Sequence, residues 1–204
     1  MRLVAFTLMV VAGCSEPERP APEVAVAPAA VASGTELELF FPLVEGNIYT
    51  YATESDEDAG RLVVRARRSG ADRGALVTGS TVREFAYAAD GVVLERPGAA
   101  PVHVLKSPLA PGAQWRGEHG GTVSIAEVGA TVTVPAGTFQ NCVKTVELRG
   151  GDRPMQVATT FCAQVGIVLL EASSGEQLER ASLESYGPPV DIGPGGVKVI
   201  PPGG

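Results

Sequence analysis

The chain has 204 residues, a formal net charge of −7 and three cysteines, and 45% of its residues are hydrophobic. This length allows one domain with a full hydrophobic core. A nucleic-acid-binding surface needs clustered Lys and Arg side chains, whereas the charges here are interspersed, so that class of function is disfavoured. The densest basic run, residues 65–68, ends an alternating pattern and is interpreted as a solvated strand face.

The amino terminus has the pattern of a secretory signal. Arg2 stands beside the free amino group, and an apolar run follows from Leu3 to Val11. That run is about 10 residues long, well short of the roughly 20 that cross a bilayer as a helix. We therefore expect export without a retained membrane span.

The signal ends in Val11-Ala12-Gly13-Cys14, which resembles the lipobox of bacterial lipoprotein precursors. The resemblance implies cleavage before Cys14, attachment of acyl chains such as palmitate, and anchoring on a membrane. In the sorting rule of enteric-type bacteria, Asp after the lipidated cysteine retains the protein at the inner membrane. Ser15 at this position implies the outer membrane, facing the periplasm. An ordinary secretory signal with a chance cysteine is the alternative.

Composition divides the chain into four parts. Residues 1–13 are the signal peptide, and residues 14–35 are the lipidated cysteine and a Pro/Ala-rich linker without aromatic residues. Residues 36–186 are the expected β domain. Residues 187–204 are rich in Gly and Pro and are expected to be a disordered tail.

The domain is predicted to be all-β, because alternating β-branched segments recur between Gly, Pro, Asp and Ser and no window has sustained helical periodicity. We expect a single antiparallel β domain built as a meander, a sandwich or a half-open barrel. The expected strands are residues 36–41, 47–54, 61–68, 75–88 with a break near 79, 91–96, 101–106, 122–128, 131–134, 138–149, 155–162, 167–173 and 177–186.

The two remaining cysteines are predicted to pair. The expected strands 138–149 and 155–162 flank a five-residue loop rich in turn-forming residues. They are therefore expected to form a hairpin. If Arg149 faces Met155, Cys142 lies directly opposite Cys162. In an oxidising compartment a disulfide is then the natural expectation. A free buried pair and a redox-active pair are the alternatives.

Three phrases place Gly or Pro beside aromatic residues. They are FPLVEGNIYTY at residues 41–51, PLAPGAQW at 108–115, and VPAGTFQNCVKTVEL at 134–148 followed by FCAQVGIVLLE at 161–171. Together they resemble a group of uncharacterised bacterial envelope proteins, commonly lipoproteins, with PAGTF and VGIV motifs. The resemblance implies a fold but no activity. By weaker analogy, such domains are similar to the half-open barrels of periplasmic lipoprotein carriers.

The sequence predicts no catalytic residue, no metal site and no cofactor. The histidines, His103 and His119, lack the paired spacing of a metal site. Glu118-His119 is interpreted as an exposed loop pair, with a weak ligand or acid–base pair as the alternative. Residues 78–81 lack the second glycine of a nucleophile elbow. The acidic residues 56–58 are interpreted as a solvated turn rather than a cation site.

Aromatic side chains could line an apolar pocket, although any core of this size would also use them. The candidates are Tyr49, Tyr51, Phe85, Trp115 and Phe161. The leading hypothesis is a membrane-anchored, non-enzymatic module that binds an envelope protein or an apolar ligand. The alternatives are a structural or stress-related envelope lipoprotein without a small ligand and, less favoured, a hydrolase.

Overall fold

The computed structural model describes residues 34–56, 58–193 and 196–200. The predicted signal peptide, Cys14 and the linker up to residue 33 lie outside the described residues. The strands of the main sheet are β1 Ile48–Ser55, β2 Ala59–Arg68, β3 Arg73–Thr78, β4 Thr81–Ala88, β5 Gly91–Glu95, β6 Val102–Lys106, β7 Gln114–Arg116, β8 Thr122–Val134, β9 Gly137–Arg149, β10 Met155–Cys162, β11 Gly166–Ser174 and β12 Gln177–Gly187.

These twelve strands form one antiparallel sheet in the order β6-β5-β4-β3-β2-β1-β12-β11-β10-β9-β8-β7. Neighbours in the sheet are neighbours in the chain except at β1 and β12, which join two six-stranded meanders. The two edge strands come close, and the Trp115 Nε1–H donates to the His103 carbonyl at 3.1 Å. The sheet is thus nearly closed, which confirms the all-β prediction and selects the half-open barrel among its three forms.

Irregular pairing helps the sheet to curve. The register shifts between Thr50 and Tyr51 of β1, between Thr160 and Phe161 of β10, and at three places between β8 and β9. Such bulges bend a strand and increase its local twist. They give long strands such as β8 and β9 the curvature that a barrel wall needs.

The hairpin of β9 and β10 has the predicted register. Arg149 pairs with Met155, and Cys142 pairs with Cys162. The two sulfurs form a disulfide, and both residues are buried. The predicted cysteine pairing is therefore confirmed.

The segment predicted as a strand at residues 36–41 is instead a short helix, α1 Gly34–Phe40. Its alternating pattern was compatible with a strand, but Leu37 and Phe41 are also four residues apart, which places them on one helical face. Leu37 is 1% and Phe41 3% exposed, whereas Leu39 is 45% exposed. Pro42 follows directly, where a helix cannot readily continue.

Three other parts differ from the sequence prediction. The short edge strand β7 was not expected, and residues 122–134 form the single strand β8 where two were expected. Within the expected disordered tail, β13 Val190–Gly193 pairs with β14 Gly196–Val199 in a separate two-stranded sheet.

The buried residues form three hydrophobic clusters, one of which contains Leu37, Phe41, Phe85 and Phe161. Helix α1 contacts β4 and β5 in one meander and β10 and β11 in the other, so it spans the interior. Phe41, which directly follows the helix, packs against Phe85 and Phe161, with ring centroids 4.9 and 6.3 Å away. The helix and these rings therefore pack between the two meanders in one hydrophobic cluster.

Candidate functional site

An internal cavity of about 390 Å³ occupies the concave side of the barrel. Its apolar floor is formed by the lining residues Phe41, Phe85 and Phe161, each at most 3% exposed. Its walls come from both meanders. The further apolar lining residues are Leu76, Val104, Val123, Met155, Val157, Ile167, Leu170 and Ala172.

The rim of the cavity is charged. Arg83 of β4 and Glu118 of the β7–β8 loop face each other across the opening, with Nη2 and Oε2 2.5 Å apart. Their side chains are 45% and 34% exposed, so the ion pair is in contact with solvent. Since β4 and the β7–β8 loop belong to different meanders, this pair links the two sides of the opening. The Arg83 guanidinium also lies 5.6 Å from the centre of the Phe85 ring.

Glu147 of β9 is a buried carboxylate in the cavity wall, with 6% of the residue exposed. Its Oε1 accepts hydrogen bonds from the backbone N–H groups of His119 and Gly121, both at 2.9 Å. Its Oε2 lies 2.9 Å from His119 Nδ1. A buried carboxylate needs such donors to offset its lost hydration.

The loop is shaped around this carboxylate. A Cβ atom at Gly117 would lie 2.2 Å from Glu147 Cδ, far inside van der Waals contact. Only a residue without a side chain can occupy that position while Glu147 stays in place. Gly117 therefore lets the β7–β8 loop lie directly over the Glu147 side chain.

Because a carboxylate accepts hydrogen bonds, the contact places a proton on His119 Nδ1 and leaves Nε2 for another partner. The hydroxyl of Thr145, two residues before Glu147 on β9, donates to the Thr159 carbonyl at 3.4 Å rather than to His119. The arrangement can orient an imidazole beside a cavity, and it supplies no activated nucleophile from this strand. In the part of the chain that the structure describes, no three His, Cys, Asp or Glu side chains converge as a metal site would require.

The predicted loop pair, Glu118 and His119, is not a unit in the structure. Glu118 binds Arg83, and His119 binds Glu147. These partners lie 35 and 28 residues away in the sequence. No local pattern points to them, because they meet only when β4 and β9 take their places in the sheet.

The five predicted pocket residues divide into three groups. Phe85 and Phe161 line the cavity. Tyr49 and Tyr51 border a void of about 20 Å³, and their hydroxyls donate to the carbonyls of Pro42 and Ile167. Burial raises the pKa of both phenols. Trp115 packs with Val123, Ile125 and Val143 and lies at the junction of β6 and β7.

His103 is the second histidine at the cavity. It lies on the edge strand β6, and its Nε2 is 3.0 Å from Asp90 Oδ1. This hydrogen bond lowers the pKa of the Asp90 carboxyl. The imidazole of His103 is thus held beside Asp90, in the turn between β4 and β5. The backbone carbonyl of His103 accepts a hydrogen bond from Trp115.

The fold and the cavity define a class: a half-open antiparallel β barrel whose interior is spanned by a short helix and opens through a charged rim. The chain matches no protein-family model and no curated protein sequence. None of the helices in the described residues is long and apolar enough to cross a membrane.

The solved structures similar to this chain include two from bacteria. One is a candidate exported protein with a YmcC-like fold from Bacteroides fragilis, with a TM-score of 0.48 and 14% sequence identity, covering 73% of this chain and 99% of that one. The other is a candidate lipoprotein from Parabacteroides distasonis, with a TM-score of 0.47 and 13% identity, covering 73% of this chain and 98% of that one.

Proposed function

We propose that this chain is an envelope lipoprotein, anchored through Cys14 at the periplasmic face of the outer membrane, whose β domain binds an apolar ligand without catalysis. The observation that carries the binding role is the cavity of about 390 Å³ with its buried aromatic floor. The proposed anchor rests on the lipobox-like sequence before Cys14.

The size and lining of the cavity support ligand binding. Small-molecule sites have volumes of roughly 300 to 1,000 Å³ and combine apolar walls with a few placed polar groups. Each ligand methylene moved from water to such a floor contributes about 0.8 kcal/mol. Met155 at the wall has a flexible side chain that can adapt to ligands of different shape.

A protein partner added to a sheet edge is less well supported. Such binding needs a free row of backbone N–H and C=O groups. Here the edge strands are short, with five residues in β6 and three in β7. The hydrogen bond from Trp115 to the His103 carbonyl also links the two edges.

The test is uptake of a neutral apolar fluorophore, N-phenyl-1-naphthylamine, by the purified domain. Ala172 lines the cavity and is half-buried, so Ala172→Trp should fill the space and weaken uptake about tenfold or more. The matched control is Ala126→Trp on the exposed surface of β8, which should bind as the wild type does.

Circular dichroism and the unfolding midpoint would show that both variants are folded. Equal uptake by the wild type and the Ala172→Trp variant would disprove ligand binding in the cavity. A wild-type domain that takes up no fluorophore would favour the structural lipoprotein without a small ligand.

A further inference from the structure

We infer that the cavity selects amphiphiles with an aliphatic chain and a cationic head group over amphiphiles with an anionic head. This inference rests on the proposed ligand-binding function and deepens it by naming the class of ligand. It comes from the distribution of charge between the floor and the rim of the cavity.

The cavity has a gradient of polarity that orients an amphiphile. The buried rings of Phe41, Phe85 and Phe161 form the floor. The exposed charged residues lie at the opening, where Arg83 and Glu118 form their ion pair. An aliphatic chain is therefore stabilised inside, and the head group remains beside the charged rim.

The charged residues that line the cavity are mainly acidic. They are one arginine, Arg83, and three glutamates, Glu118, Glu147 and Glu179. With the histidines neutral, the lining has a formal charge of −2. Arg83 is already bound to Glu118 at 2.5 Å, so the cavity offers no free cation to an anionic head.

The two other carboxylates stay available as a source of negative potential. Glu147 accepts its hydrogen bonds from backbone N–H groups and from His119, which leaves its formal charge uncancelled when the imidazole is neutral. Charge in such a poorly solvated place acts over a longer distance than charge in water. Glu179 of β12 is exposed and makes no ion pair within the described ranges.

An anionic head that binds Arg83 must compete with Glu118 and lies in a cavity with two further carboxylates, Glu147 and Glu179. Because this pair is in contact with solvent, weakening it carries a small cost, and repulsion by the neighbouring carboxylates adds to that cost. A cationic head faces no such cost, because it can approach Glu179 at the rim while Arg83 stays bound. The charge arrangement thus favours a cationic head, which is attracted to Glu179 and does not compete for Arg83.

The experiment is displacement of bound N-phenyl-1-naphthylamine at pH 7 by dodecylamine, dodecanol and dodecanoate, each below its micelle-forming concentration. These share one chain length and differ in head-group charge. We expect the amine to displace the fluorophore at about one tenth of the concentration that dodecanoate needs, with the alcohol between them. The preference should decrease as salt is added.

Three variants relate the preference to the charge of the cavity. Glu179→Gln should lower the amine-to-carboxylate ratio about threefold, and Arg83→Gln should raise it about threefold. The control is Glu84→Gln, an exposed neighbour of Arg83 on β4 that does not line the cavity. It changes the net charge of the protein as Glu179→Gln does and should leave the ratio unchanged.

Equal displacement by all three amphiphiles would overturn the inference while leaving ligand binding intact. A ratio that does not respond to Glu179→Gln and Arg83→Gln, or that responds as strongly to Glu84→Gln, would overturn it as well. Failure of the wild type to take up the fluorophore would overturn the proposed function first, and this inference with it.

Discussion

The buried hydroxyl of Tyr51 ties β1 to β11 across the core. It donates to the Ile167 carbonyl at 2.9 Å, and only 8% of the residue is exposed. Tyr51→Phe keeps the ring and leaves that carbonyl without this donor. We expect a loss of about 1 kcal/mol in the free energy of unfolding, measured by urea denaturation. Tyr186→Phe, at a 45% exposed tyrosine, should change it little.

The same residue predicts a dependence on alkaline pH. Desolvation by burial raises the pKa of the Tyr51 phenol in the folded state. Above about pH 10 the unfolded chain releases this proton while the folded chain keeps it, so unfolding becomes easier as the pH rises. The wild type should therefore lose stability from pH 10 upward more steeply than the Tyr51→Phe variant. Parallel pH profiles would contradict this account.

Gly117 is the residue that lets the β7–β8 loop lie over Glu147. Since an added Cβ would lie 2.2 Å from Glu147 Cδ, Gly117→Ala must displace the loop or the buried carboxylate. We expect a loss of about 2 kcal/mol in unfolding free energy, because hydrogen bonds to a buried charge are disturbed. Gly150→Ala is the matched control, since a Cβ there meets nothing within 4 Å. Equal midpoints of thermal unfolding for the two variants would contradict the assignment.

The residues of the cavity show where sequence reasoning stops. Phe85 and Phe161 were candidates for pocket lining, with core packing as the favoured interpretation, because buried aromatic side chains serve either purpose. The pairing of His119 with Glu147 could not be predicted. It depends on β8 folding back along β9 to bring a loop over a side chain 28 residues away.

At the scale of elements, the β9–β10 hairpin is fastened by the Cys142–Cys162 disulfide, which closes a sequence separation of 20 residues. In the chain-entropy account a loop of this length contributes about 3 kcal/mol by restricting the unfolded chain. The double variant Cys142→Ala/Cys162→Ala should lose about that amount in guanidinium denaturation.

Reduction supplies the control for that prediction. A reductant should destabilise the wild type and leave the double variant unchanged, because the variant has no disulfide to lose. If the reductant lowered the stability of both proteins equally, the disulfide would not be the source of the effect.

The hairpin and helix α1 differ in how well the sequence could predict them. The hairpin register follows from local information, namely the loop between two strands and the alternation that places Cys142 opposite Cys162. The apolar residues from Glu36 to Phe41 fit both the two-residue period of a strand and the 3.6-residue period of a helix. Its choice of helix depends on contacts with β4, β5, β10 and β11, which no local pattern contains.

At the scale of the whole molecule, the strand order depends on a single long-range pairing. Every other contact between neighbouring strands of the sheet is a hairpin or a short connection, whereas β1 pairs with β12, for example Ile48 with Gly187. The strand-rich composition predicts an all-β fold, but it does not predict that β1 pairs with β12. The cavity exists because the pairing brings two meanders around α1, so its position could not be predicted either.

The whole-molecule prediction concerns the anchor. In the described part of the chain, the buried core residues run from Leu37 to Leu183. Cys14→Ser should remove the proposed acylation site and release the domain from the membrane fraction. The released domain should have the unfolding midpoint of the anchored protein. Ser15→Ala is the control and should remain attached. Retention of the Cys14→Ser variant on membranes in high salt and carbonate would show that something other than lipid on Cys14 holds the protein there.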